Sequence, residues 1–142
     1  MIDAEADQPA HLRFLVVDDN SDSADTLATV LQLIGAEAYC AYSGDAALQC
    51  FAQRHPDVVV LDLGMPGKDG FTTCEQVRAQ PGGHDAVVIA LSGWGGVSDR
   101  ARSAVAGFDA HLVKPVRVSD LFARVEQARR SRRGAHRSSE LE

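Results

Sequence analysis

The sequence is poor in the features that mark several large classes of protein. It has only three cysteines among 142 residues, Cys40, Cys50 and Cys74, an odd number with no CxxC spacing. That excludes a disulfide framework or a zinc site as the expected design and points to a reducing, cytoplasmic setting. Long apolar runs are missing too: Val58 to Leu61 is typical of the longest, far short of a membrane span. The opening MIDAEADQPA is acidic where a signal peptide would be basic and then apolar, so a soluble, non-secreted chain is expected. Basic charge is scarce over most of the length. Residues 1–123 carry eight basic against seventeen acidic groups, and only 124–142 reverse the sign, with six Arg against three Glu. Nucleic acid is therefore not the partner expected of the body, because duplex binding neutralises phosphates with Lys and Arg; a metal cation suits it better. No internal repeat or low-complexity segment interrupts the chain.

What the chain does contain is a regular alternation of short apolar runs and longer stretches of helical period. Length and composition fit one domain. Residues 1–11 read as a polar leader, 12–130 as the folded body and 131–142 as a basic tail whose final Leu-Glu looks like a vector-derived remnant. Phe14 to Val17 is a continuous apolar run of the kind buried on both faces of a parallel sheet. After it, Ser21 or Asp22 is expected to cap a helix carrying Ala24, Leu27, Leu31 and Ile34, with Gly35 at its C′ position. A strand near Glu37–Ala41 precedes a helix opened by Ser43 and ended by His55-Pro56. Val58 to Leu61 forms the third strand, a helix follows near Phe71–Ala79, and Val87 to Leu91 forms the fourth strand. A Gly-rich loop then leads to a helix near Ser98–Ala106. Ala110 to Val113 is the fifth strand, and Ser119 is expected to cap a last helix with Leu121, Phe122 and Val125 inward. The order is (βα)₅, which implies a parallel sheet covered on both faces, with ligands bound beyond the C-terminal strand ends.

Those strand ends carry the chemistry. Asp18 and Asp19 follow the first strand, Asp62 the third, Ser92 the fourth and Lys114 the fifth. Taken singly, each is ordinary: an Asp at a strand end is most often a turn or cap residue, Ser before Gly a loop residue, Lys before Pro an exposed base. Together they converge on one cleft. Three crowded carboxylates repel one another unless a cation joins them, and hard oxygen ligands point to Mg²⁺. A lysine and a hydroxyl beside the metal are the groups that hold phosphoryl oxygens, with one carboxylate as nucleophile.

The segments LVVDDN (15–20), VVVLDLGMPGKDG (58–70), ALSGWG (90–95) and HLVKP (111–115) together resemble the receiver domains of two-component response regulators, over about residues 12–130. The resemblance implies a doubly wound, flavodoxin-like (CheY-like) fold and a signalling module rather than a turnover enzyme. It implies that Asp62 accepts a phosphoryl group from a histidine kinase or phosphotransfer protein. Asp19, with Asp18 close by, Asp62 and the backbone carbonyl of Gly64 would bind Mg²⁺, while Lys114 and Ser92 would hold the phosphoryl group. A downstream protein partner is implied as well, with a homodimer through the helix at Ser98–Ala106, the fifth strand and the last helix as one option.

Several positions depart from the family pattern. His111 stands where the family usually has Tyr or Phe, so its role divides between a half-buried histidine and a switch residue. Trp94 either shields the phosphoryl group or packs on its loop. Gly64 offers no side chain to position a hydrolytic water, which predicts a long-lived phosphorylated form. Met65-Pro66 and Asp69-Gly70 read as structural turn residues. The clustered Arg129, Arg130, Arg132 and Arg133 read as a solvated helix end. Three rivals fare worse. An aspartyl phosphatase would show a second acid two residues after Asp62, where Gly64 stands. A flavodoxin-like cofactor binder would show a hydroxyl-rich loop where Asp18 and Asp19 stand, and a phosphorylation-independent interaction module would not need the complete acid, hydroxyl and lysine set.

Overall fold

The structure, a computed structural model, describes residues 11–65, 69–93 and 106–141, with side chains as far as Arg132. Five strands form one parallel sheet: β1 (Arg13–Val17), β2 (Glu37–Ala41), β3 (Val58–Asp62), β4 (Val87–Ser92) and β5 (Ala110–Val113), in the spatial order β2-β1-β3-β4-β5. The central runs read as uninterrupted apolar sequence because both faces are covered: all five residues of β3 and all six of β4 are buried.

Alternate residues of each strand feed two cores. Phe14, Val16, Val58, Val60, Ile89 and Leu91 pack against α1 (Ser21–Leu33) and α4 (Val118–Leu141). Leu15, Val17, Val59, Leu61, Val88 and Ala90 face α2 (Gly44–Arg54) and α3 (Gly70–Ala79). Burying one such side chain contributes about 1.5–3 kcal/mol, so a one-residue slip of any central strand would exchange its two faces and misplace the groups at its end.

Local chemistry sets most helix ends. Ser43 caps α2 by accepting from the Ala46 amide, and Gly35 takes a left-handed φ of 109° just past α1, as its expected C′ position requires. Two caps differ from expectation. Asn20, rather than Ser21 or Asp22, caps α1, its side chain accepting from the Ser23 amide. Helix α4 begins at Val118, which puts Ser119 inside its first turn. It continues to Leu141, beyond the point where the basic tail was expected to start. Arg132 ties it to the body through a 2.8 Å ion pair with Asp109. Asp109 also accepts from the Val88 amide and pairs with Arg78, whose guanidinium reaches the carbonyls of Gly83, Ala86 and Gly107. Trp94, the Pro66-Gly67-Lys68 loop and all but Ala106 of the helix expected near Ser98–Ala106 lie outside the described residues. Among the described residues no helix is long and apolar enough to cross a membrane.

Candidate functional site

The strand order reverses between β1 and β3, and in open parallel sheets the crevice at that reversal, beyond the C-terminal strand ends, is where ligands bind. Asp18 is held there by the sheet and by the helix that follows. Its amide donates to Ala41 at 3.1 Å, extending the β1–β2 ladder by one residue, and its Oδ1 accepts from the Asn20 amide at 3.0 Å. Asp62 is the last residue of β3, in register with Leu91, and the Leu63 amide continues the ladder to Leu91. Lys114 follows β5 and is fixed through its amide, which donates to the Ser92 carbonyl at 2.8 Å.

These groups meet as the strand ends require. The Lys114 ammonium lies 3.0 Å from Asp18 Oδ2 and 3.2 Å from Asp62 Oδ2, while Asp62 Oδ1 accepts from the Gly64 amide at 2.9 Å. Carboxylate oxygens of Asp18, Asp19 and Asp62 all lie within 4.8 Å of one another. Asp18 and Asp62 are buried and Asp19 is exposed, so the cluster opens to solvent on the Asp19 side.

Charge follows from this packing. Burial and the neighbouring Asp18 raise the Asp62 carboxyl above its ordinary value, against the Gly64 amide and Lys114, which pull it down. Burial alone would lower the Lys114 ammonium, but the two carboxylates outweigh it and leave the lysine above its usual value. Among the described residues, three carboxylates gather around one ammonium in a partly buried site, an excess of negative charge. All the side-chain donors are hard oxygens, the set that suits a small divalent cation keeping several waters.

On the α2/α3 side, Ser92 is buried beside the last residues of β4, and its Oγ lies 2.7 Å from His111 Nε2 on the adjacent strand. Of the residues the sequence singled out, Asp18, Asp19, Asp62 and Lys114 form one cluster and Ser92 and His111 form a pair. Gly64 supplies its amide to Asp62.

Two further residues shape the site without having been marked for it. Asn20 orients Asp18 and caps α1 at once; an Asn directly before a helical period is the signal for it. Gly70 proves to be the first residue of α3, capped by Asp69, and not a turn residue of special φ. A Cβ at position 70 would stand 2.6 Å from the Asp62 carbonyl and 2.9 Å from Leu63 Cα, so only glycine lets α3 start hard against the end of β3.

Relatives carry the same frame. The family model for the response regulator receiver domain matches residues 14–126. The transcriptional regulatory protein PrrA of Mycobacterium tuberculosis is 40% identical over 130 residues, 92% of this chain and 54% of that protein. The chain spans about half the length of the curated relatives it matches. Among solved structures, a response regulator receiver domain protein from Clostridium thermocellum has a TM-score of 0.76 at 27% identity, covering 86% of this chain and 97% of that one. The Francisella response regulator 1452 receiver domain has a TM-score of 0.74 at 27% identity, covering 85% and 98%. With the parallel β2-β1-β3-β4-β5 sheet, the acid cluster at its reversal point and a family match over most of its length, the chain belongs to the response regulator receiver domain family.

Proposed function

We propose that this chain is a phosphoacceptor: it takes a phosphoryl group from a phosphohistidine donor onto Asp62 and signals through the change in shape that follows. The observation that carries this reading is the joint approach of Lys114 to Asp18 and Asp62 at 3.0 and 3.2 Å, with Asp19 completing the acid cluster. An oxygen of the Asp62 carboxylate attacks phosphorus, the bond from phosphorus to the donor's histidine nitrogen breaks, and that nitrogen keeps the electron pair. On this reading Lys114 compensates charge on the transferred group, and the Ser92 hydroxyl donates to one of its oxygens. Such transfer depends mainly on position and charge compensation.

The oxygen donor set fits Mg²⁺, which Asp18, Asp19, Asp62 and the Gly64 carbonyl would hold; when bound, it neutralises phosphoryl charge. Because Gly64 has no side chain to hold a hydrolytic water, the phosphorylated form is long-lived, and a half-life of seconds in purified protein contradicts this. The donor is a histidine kinase or phosphotransfer protein in the cytoplasm. The output passes to a protein partner or to a further part of a longer regulator, with homodimerisation through the β5 and α4 side as one route.

The test is intact mass after incubation with acetyl phosphate. One added phosphoryl group with Mg²⁺, absent without metal, is the expected result. No mass gain in any condition favours an interaction module that works without phosphorylation.

A further inference from the structure

The hydrogen bond that His111 and Ser92 share can run in either of two directions. The register sets Ala90 opposite His111 and Ser92 opposite Val113, so the two side chains sit diagonally on neighbouring strands and on one face of the sheet. At 2.7 Å, with Ser92 buried, this is a full hydrogen bond. A hydroxyl has one proton to give and two acceptor sites, and a neutral imidazole nitrogen is either donor or acceptor. Either Ser92 donates its proton to Nε2, or Nε2–H donates to Oγ and the hydroxyl proton is not spent on this bond.

Building on the phosphoacceptor reading, we propose that His111 is a positioning residue whose Nε2–H holds Ser92 Oγ and aims the hydroxyl proton at the phosphoryl group on Asp62. A phosphoryl group bears up to two negative charges and three strong acceptor oxygens. It outcompetes a neutral ring nitrogen for the Ser92 proton, because charge-assisted bonds are about twice as strong. Once the hydroxyl turns, its oxygen can only accept from His111, so the ring takes the Nε2–H tautomer. The two bonds then run in one direction, from imidazole to hydroxyl to phosphoryl oxygen, and each polarises the next. A phenyl ring at this position fills the space but gives Oγ no donor.

The experiment uses the full chain with Mg²⁺ and beryllofluoride as a stable phosphoryl mimic. His111→Phe is expected to weaken beryllofluoride binding about fivefold, the size of one neutral hydrogen bond. His111→Gln, whose side-chain amide can donate to Oγ, restores most of that loss. In a Ser92→Ala background His111→Phe has no further effect. Nitrogen NMR of the unaltered protein shows the Nε2–H tautomer of His111 in the beryllofluoride form. Equal binding by His111→Phe, an undiminished loss in the Ser92→Ala background, or an Nδ1–H tautomer in the bound form overturns the proposal and leaves the phosphoacceptor reading standing. Failure of the unaltered protein to take up either beryllofluoride or a phosphoryl group removes both.

Discussion

The Lys114 ammonium lies 3.0 Å from the Asp18 carboxylate, joining the loop after the last strand to the end of the first. This ion pair occupies ground that a divalent cation would share, since Asp18 is also one of the three clustered acids. Removing the lysine should therefore split two properties that a simple loss of structure would not. Lys114→Ala is expected to tighten Mg²⁺ binding about fivefold, as a cation of roughly 1 kcal/mol repulsion leaves the site, while phosphoryl uptake falls. Metal titration beside acetyl phosphate labelling checks both.

Asp62 is stabilised poorly as an anion. Its carboxyl is raised above the ordinary 3.8, first by burial and then by Asp18. A folded-state value above the unfolded one means that this group favours folding while protonated, and that the contribution is lost as pH rises through the raised value. At neutral pH without metal, Asp62→Asn should melt about 2–4 °C higher than the unaltered protein, and the gap should close as pH falls toward 3.8. Added Mg²⁺ should reverse the order, because a ligand stabilises only the protein that binds it. Thermal melts across pH, with and without metal, measure this.

Arg78 is the keystone of the opposite end of the sheet. Its guanidinium bonds the carbonyls of Gly83, Ala86 and Gly107 and the Asp109 carboxylate, which also receives Arg132. Arg78→Ala takes the side-chain donor from three carbonyls and leaves the Asp109 carboxylate to Arg132 and the Val88 amide, at an expected cost of about 2–3 kcal/mol in urea unfolding. Lysine will not substitute, since one ammonium cannot span that fork of acceptors.

Cys74 lies on the buried face of α3, and burial pushes its thiol up to about 11. At neutral pH it should be the last of the three cysteines to react with an alkylating reagent. Its rate should follow global unfolding by urea, because the thiolate is the reactive form. Peptide mapping after graded exposure checks the order.

Much of this was readable from sequence, because strand ends announce themselves locally. Val58 to Leu61 can only be a strand buried on both faces, so Asp62 had to stand at its mouth, and the same logic placed Asp18, Ser92 and Lys114. Less was readable where meaning comes from distant partners. Gly70 looked like a turn glycine because nothing local reveals the Asp62 carbonyl 2.6 Å from where its Cβ would be. Arg132 reads as part of a solvated helix end, and Arg78 carries no local signal at all, because their shared partner, Asp109, lies far off in the chain just before β5. His111 divides between two roles in the sequence, which gives no sign of the register that sets it against Ser92.

On the proposed reading Asp62, and neither neighbouring aspartate, is the acceptor. Borohydride reduces an acyl phosphate and converts that aspartate to homoserine, so peptide mapping after acetyl phosphate, Mg²⁺ and borohydride names the residue. Homoserine at position 62 alone, with none formed in Asp62→Asn, is the predicted result. Homoserine at Asp18 or Asp19 in the unaltered protein, or at no aspartate in protein that has gained the phosphoryl mass, would contradict it.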